Sequence, residues 1–294
     1  MDLILGSHVG FNNKTALLGS VEEAISYNAN TFMFYTGPAQ NTLRSDINED
    51  NTYEAYKLML EHNINPDNVI VHAPYIVNFA NKNDERKYEF YIDFFTEELN
   101  RVKKLGFNKI VLHPGSAVNV SREDGIKNII EALKKVIERT NDVIILLETM
   151  AGKGNELGIN ISEIKEILDG VNNTDRIGVC LDTCHLNDSG IDINKFDEYL
   201  DEFDKYIGLH RIKCVHVNDS MNAVGSHKDR HQNIGYGTIG FETLCNNVIY
   251  NKRLEGIPFI LETPWVNRNQ DNEYPPYKVE IENFRNKKFI DFIQ

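Results

Sequence analysis

The chain is 294 residues long, 41% hydrophobic and 26% charged with 8 prolines, which describes a folded globular protein and excludes a disordered or fibrous one. Lys and Arg number 31 against 44 Asp and Glu, a formal net charge of −13 that at face value argues against a nucleic-acid partner. Formal charge omits bound metal ions, which are often the largest local charges in a site.

No apolar run approaches the roughly 18 residues that a membrane span needs. The start, Met1-Asp2-Leu3-Ile4-Leu5-Gly6, lacks the basic opening of a secretory signal and goes directly into a strand, so a cytoplasmic protein is expected. Cys180, Cys184, Cys214 and Cys245 form no CxxC pair and are expected as reduced, buried thiols.

Short apolar runs rich in β-branched residues alternate with longer helical patterns from end to end. Strands are predicted at 3–9, 31–35, 68–72, 109–113, 143–148, 177–182, 212–217 and 258–262, each followed by a helix candidate. The clearest helices are 84–105, 122–139, 161–171, 193–207 and 241–254, with a last one near 279–293 introduced by Pro275-Pro276. Ser121 with Asp124 reads as a capping box, and Gly106, Gly170 and Gly208 sit where helices should stop. No linker or low-complexity tract interrupts the pattern, so residues 1–294 are expected to form one α/β domain. Eight βα units point to a closed (β/α)8 TIM barrel, although the count alone leaves a doubly wound sheet open. A barrel predicts that active-site residues stand at the C-terminal ends of the strands.

The stretch Val179-Cys180-Leu181-Asp182-Thr183-Cys184-His185 makes that prediction concrete. Cys180 and Asp182 share one strand face and Val179 and Leu181 the other, so a carboxylate stands at the strand's end. Beyond it the chain turns, and His185 can face the same cavity without sharing the metal of Asp182. A capping Asp beside a buried, hydrogen-bonded His fits this fragment equally well.

The last residue or so of strands three to eight gives His72, His113, Glu148, Asp182, His216 and Glu262, all metal-ligand types. Singly, His72 before Ala73-Pro74 and His113 before Pro114-Gly115 read as core histidines at turns. Glu148 and Glu262 follow apolar runs, where an unpaired charge is very costly and a cation is the simplest compensation. In the loop after strand seven, Asp229 and His231 are two apart, so an extended loop would aim both at one ion with Arg230 turned away. With His185 they form the three-ligand set that a catalytic zinc keeps. His227 and His62 read as solvent-facing, and His8 ends strand one inside the mouth. The nine ligands, five His and four carboxylates without Cys, point to zinc first, with manganese or iron possible. Nine are too many for one ion and suit a cluster of two or three, the arrangement used on phosphate esters.

The segments Val71-His72-Ala73-Pro74-Tyr75, Leu112-His113-Pro114-Gly115-Ser116, the stretch from Leu147 to Gly154, Asp182-Thr183-Cys184-His185, Val215-His216-Val217-Asn218-Asp219-Ser220 and Lys228-Asp229-Arg230-His231-Gln232-Asn233-Ile234-Gly235 resemble the endonuclease IV family of apurinic/apyrimidinic endonucleases over essentially the whole chain. The resemblance implies a TIM barrel with three zinc ions that hydrolyses the phosphodiester 5′ to an abasic site in duplex DNA. It leaves a 3′-hydroxyl and a 5′-deoxyribose phosphate, with a metal-bridging hydroxide as nucleophile and Glu148, Asp182 and Glu262 as the catalytic carboxylates. It assigns His72, His113 and Glu148 to one ion, Glu148, Asp182, His216 and Glu262 to a second, and His185, Asp229 and His231 to a third. It further implies wedging of loop side chains into bent DNA, for which Tyr75 and Ile76 are suited. Gln40 stands where some relatives carry Arg. Lys153, Arg230 and Arg44 are candidate phosphate contacts, and a monomer is expected. Two other readings stay open from the residues: a sugar isomerase or epimerase of the xylose isomerase type, and a barrel that binds damaged DNA without cutting it.

Overall fold

The computed structural model describes residues 3–172 and 175–293. Its strands are β1 (Leu5–His8), β2 (Thr31–Phe34), β3 (Ile70–His72), β4 (Lys109–Leu112), β5 (Ile144–Glu148), β6 (Ile177–Asp182), β7 (Ile212–His216), β8 (Asp219–Ser220), β9 (His231–Gln232) and β10 (Phe259–Leu261). All but β8 and β9 close into a parallel barrel in the order β1-β10-β7-β6-β5-β4-β3-β2. The (β/α)8 barrel is therefore observed and the doubly wound sheet excluded. The short β8 and β9 pair antiparallel as a ribbon above the barrel, between Asp219–Ser220 and His231–Gln232.

Period-two alternation gives the barrel two cores. Val71, Leu112, Leu147, Val179, Leu181 and Leu261 point outward into the layer shared with the helices. Met33, Ile70, Val111, Leu146, Cys180, Cys214 and Ile260 point inward and form a separate buried cluster that fills the barrel.

The helices are α1 (Ala16–Ser26), α2 (Glu49–Glu61), α3 (Glu85–Lys104), α4 (Arg122–Arg139), α5 (Ile161–Val171), α6 (Thr183–Ser189), α7 (Phe196–Tyr206), α8 (Phe241–Thr243) and α9 (Tyr277–Asn286). The predicted Ser121–Asp124 box is present, with Ser121 Oγ accepting the Asp124 N–H at 3.0 Å and donating to its carboxylate at 2.7 Å. Gly106 and Gly208, at φ 84° and 98°, follow the ends of α3 and α7 as expected.

Gly170 does not stop a helix. It lies within α5, where a Cβ would come 2.4 Å from Ile130 Cδ1 of α4, and Asn172 at φ 52° ends the helix instead. Its absent side chain serves close helix packing. The helix expected at 241–254 divides into α8, a π-helical stretch Leu244–Ile249 and a 3-10 turn Lys252–Leu254 that Asn251 caps by accepting the Arg253 N–H. The last helix begins at Tyr277, directly after Pro276, and stops at Lys287 in the left-handed conformation, short of the expected 293. Among the described residues no helix is long and apolar enough to cross a membrane.

Candidate metal centre

The inward-facing floor positions the site. Each barrel strand places a residue two steps beyond its floor residue, on the same face and one layer higher: His8 above Gly6, Tyr35 above Met33, His72 above Ile70, His113 above Val111, Glu148 above Leu146, Asp182 above Cys180, His216 above Cys214 and Glu262 above Ile260. The mouth is therefore a ring of eight, all but Tyr35 being His, Asp or Glu. The six strand-end residues singled out in the sequence all converge there.

Glu148 is the hub. Its Oε2 lies 3.2 Å from His72 Nε2 and 3.0 Å from His113 Nε2. Its Oε1 lies 3.2 Å from His216 Nδ1 and 3.3 Å from His185 Nδ1. Burial pushes the Glu148 carboxyl up, but His113 and His216 outweigh it and hold the group well below the usual carboxylate range. Asp182 goes the other way: burial prevails over His185 and His231 and raises it. His216 Nδ1 also lies 3.0 Å from Glu262 Oε2.

Single donor atoms from His72, His113 and Glu148 fall within 4.8 Å of one another, as do those of Glu148, Asp182, His216 and Glu262, and those of Asp182, His185 and His231. His185 Nε2 is 3.0 Å from Asp229 Oδ1, and His231 Nε2 is 3.5 Å from the same oxygen. All nine candidate ligands thus share one connected cluster. Two expectations about the third set are corrected. The chain does not simply turn after Asp182 but enters α6, whose N-cap is Asp182 itself. The loop carrying Asp229 is not extended, because Asp229 adopts φ 55° with its N–H bonded to Asp188 Oδ2 at 2.9 Å.

The donor set fits cations. His216 Nε2 and His231 Nε2 are buried without a hydrogen-bond partner, an arrangement that is costly for polar atoms in a low-dielectric pocket. The orienting groups are in place: His72 Nδ1 faces Ala73 O at 2.7 Å and His185 Nδ1 faces Thr149 O at 2.8 Å, the outer contacts that fix a ligating imidazole.

Sequence reasoning missed three residues that hold this cluster. Asn218 donates to Asp182 Oδ2 at 2.8 Å and accepts the Glu262 N–H at 2.9 Å. Asp188 binds Ser220 Oγ at 2.7 Å as well as the Asp229 N–H. Glu280, buried in α9, accepts from Ile234 N at 2.9 Å and Thr263 Oγ1 at 2.5 Å. Asn218 repeats the period-two step from His216, and Asp188 the three-residue step from His185, so both had a signal. Glu280 had none.

Outside the cluster, Gln40, Tyr75, Lys153 and Arg230 are exposed and Ile76 is half-buried. Arg44 is corrected. Its guanidinium is committed to Glu98, 2.7 Å away and buried, and to the carbonyls of Pro38, Asn41 and Leu43, so it braces the loop after β2 and is not free for phosphate. His8 packs edge-on against Tyr35, ring centroids 5.4 Å apart, and belongs to none of the donor groups. His62 caps α2 at the surface, whereas His227, though exposed, faces Ala151 O at 2.8 Å.

A mouth lined by several groups that could hold cations, on a closed barrel, has the form of a metal-dependent TIM-barrel enzyme, and residues 21–287 match the family described as xylose isomerase-like TIM barrel. Within it the chain belongs to the endonuclease IV family of nucleases. It is 50% identical over 288 residues to the probable endonuclease 4 of Staphylococcus saprophyticus, covering 98% of this chain and 96% of that relative. The crystal structure of endonuclease IV from Thermus thermophilus superposes with a TM-score of 0.79 at 27% identity, covering 96% and 97% of the two chains. A D-tagatose 3-epimerase-like protein shares the fold at 19% identity with a TM-score of 0.69, covering 96% of each chain. The barrel alone thus does not separate nuclease from epimerase; the full-length identity to probable endonuclease 4 does.

Proposed function

We propose that this chain is a DNA-repair endonuclease that hydrolyses the phosphodiester bond 5′ to an abasic site in duplex DNA, leaving a 3′-hydroxyl and a 5′-deoxyribose phosphate. It acts as a monomer in the cytoplasm. The observation that carries the reading is Glu148 standing between two donor sets, with a third set joined through Asp182, His185 and Asp229. His72, His113 and Glu148 would hold one zinc; Glu148, Asp182, His216 and Glu262 a second; His185, Asp229 and His231 a third, with manganese or iron able to replace one. Bound there, the cations would supply Lewis acidity and water activation for phosphate-ester cleavage.

The protein's own groups do the positioning. Glu148, Asp182 and Glu262 would fix the two inner sites relative to each other, and Asn218 links the Asp182 carboxylate to the Glu262 backbone N–H. Three dications against four ligand carboxylates leave the mouth with about two positive charges, which draws a phosphodiester despite the acidic surface. Tyr75, exposed beside Ile76 on the loop after β3, is suited to enter the gap left by a missing base, with Gln40 exposed on the loop after the neighbouring β2. Arg230 and Lys153 face solvent where flanking phosphates would pass.

The test is a duplex holding one tetrahydrofuran abasic analogue, incubated with the purified chain without added magnesium. The expected product is a single nick with a 3′-hydroxyl, and elemental analysis should find about three zinc per chain. Metal-replete protein that binds this duplex and never cuts it would leave only a damage-binding barrel.

A further inference from the structure

Beside the cluster lies a cavity of about 830 Å³, within the size range of small-molecule sites, that runs from His231 and Glu262 to Trp265 and Arg268. Trp265 is the chain's only tryptophan, and it is 40% exposed. Its backbone is fixed on both sides: Pro264 O accepts from Asn233 Nδ2 at 2.7 Å, and buried Val266 exchanges hydrogen bonds with Tyr274 at 2.9 and 3.1 Å. An indole held open on a rigid backbone offers a large flat face at little ordering cost.

Arg230 and Arg268 line the same cavity, and among the described residues neither guanidinium has a hydrogen-bond or ion-pair partner. Arg44, Arg122 and Arg253, by contrast, are engaged with acids. A flat aromatic face with free guanidinium groups matches a nucleotide: the base stacks and the phosphates pair. A sugar phosphate alone would leave the indole unused.

We propose that Trp265 is a stacking platform for an intact base neighbouring the cleaved linkage, with Arg230 and Arg268 on the phosphates that flank it. This rests on the nuclease reading and adds a substrate requirement to it, namely a base-bearing nucleotide next to the lesion.

The single tryptophan reports on itself. Indole fluorescence is titrated with two duplexes carrying the same tetrahydrofuran lesion, one with intact neighbours and one whose neighbouring nucleotides are also abasic. Stacking predicts saturable quenching by the first and little by the second, with about ten-fold weaker binding of the second. Trp265→Leu should raise KM about ten-fold with the loss in KM rather than kcat, and Trp265→Phe should recover most of it. Arg268→Ala should weaken binding and reduce the salt slope of log Kd by about one. Equal binding of both duplexes, or a silent indole on a duplex that the enzyme cuts, overturns the platform and leaves the nuclease reading intact. Quenching by the intact-neighbour duplex without any cleavage overturns the nuclease reading and leaves the platform.

Discussion

Asp182 and His185 are joined by a hydrogen bond, the His185 N–H donating to Asp182 Oδ1 at 2.8 Å, while Asp182 Oδ2 lies 3.9 Å from His216 Nδ1 and 3.8 Å from His231 Nε2. One side chain therefore starts α6 with one oxygen and faces the cluster with the other. The capping reading of this fragment holds, and the same side chain leaves one oxygen for the metal reading. The cap also sets the distance between the inner donor sets and the His185 set.

That division of labour separates two substitutions. Asp182→Asn keeps a good N-cap but presents an amide to the cluster, so the metal-free protein should melt within a few degrees of wild type while cleavage falls on the order of a hundred-fold or more. Asp182→Ala should lose the same activity and a further ~1 kcal/mol of stability. Calorimetry in the presence of a chelator, beside nicking assays, reads both.

Glu148→Gln should lower nicking on the order of a hundred-fold or more, since even outer contacts of a metal site cost 10- to 100-fold. Near-normal activity in this variant would mean that Glu148 does not serve both donor sets.

Asp188 belongs to none of the donor groups, yet it accepts the N–H of Asp229, which adopts a left-handed conformation. Asp188→Ala should release that loop and reduce zinc from about three to about two per chain, with Asp188→Asn in between. Full zinc occupancy in the Ala variant would show that Asp229 keeps its place by other means.

Glu280 supplies a pH-dependent element away from the ligands. Burial drives its carboxyl up from 4.5 to about 7, against the opposing bonds from Thr263 and Ile234. A folded pKa above the unfolded one means stability that is full below about pH 4.5 and lost as pH rises through about 7, at most roughly 3 kcal/mol. Glu280→Gln keeps an acceptor for Ile234 and a donor for Thr263 without ionising. It should flatten the stability profile between pH 5 and 8, measured by denaturant unfolding relative to wild type, and an unchanged profile would mean that Glu280 titrates normally.

The ring was legible because a barrel strand spells it out: an apolar floor residue, a step of two, then a ligand, as in Ile70 and His72 or Leu146 and Glu148. Strand positions followed from the same β-branched runs. Helix α6 escaped because its seven residues, Thr183–Ser189, carry no apolar stripe; most of them are buried and the cap itself is one of the cluster's acids. Gly170 misled for a physical reason, since a glycine needed for packing against Ile130 looks the same in sequence as one needed to end a helix. Arg44 misled because its acidic partner, Glu98, sits 54 residues away on α3. Glu280 was invisible for the same cause: its bonds reach back 46 and 17 residues to Ile234 and Thr263.

The packed floor under the ring, Met33, Ile70, Val111, Leu146, Cys180, Cys214 and Ile260, all fully buried, closes the barrel beneath the cluster. On the proposed function, cations, water and phosphate would enter from the mouth, and a duplex lying across it would cover that entrance. Loading then has to precede docking on DNA, and a chelator that strips the free protein should wait on substrate release to strip the complex.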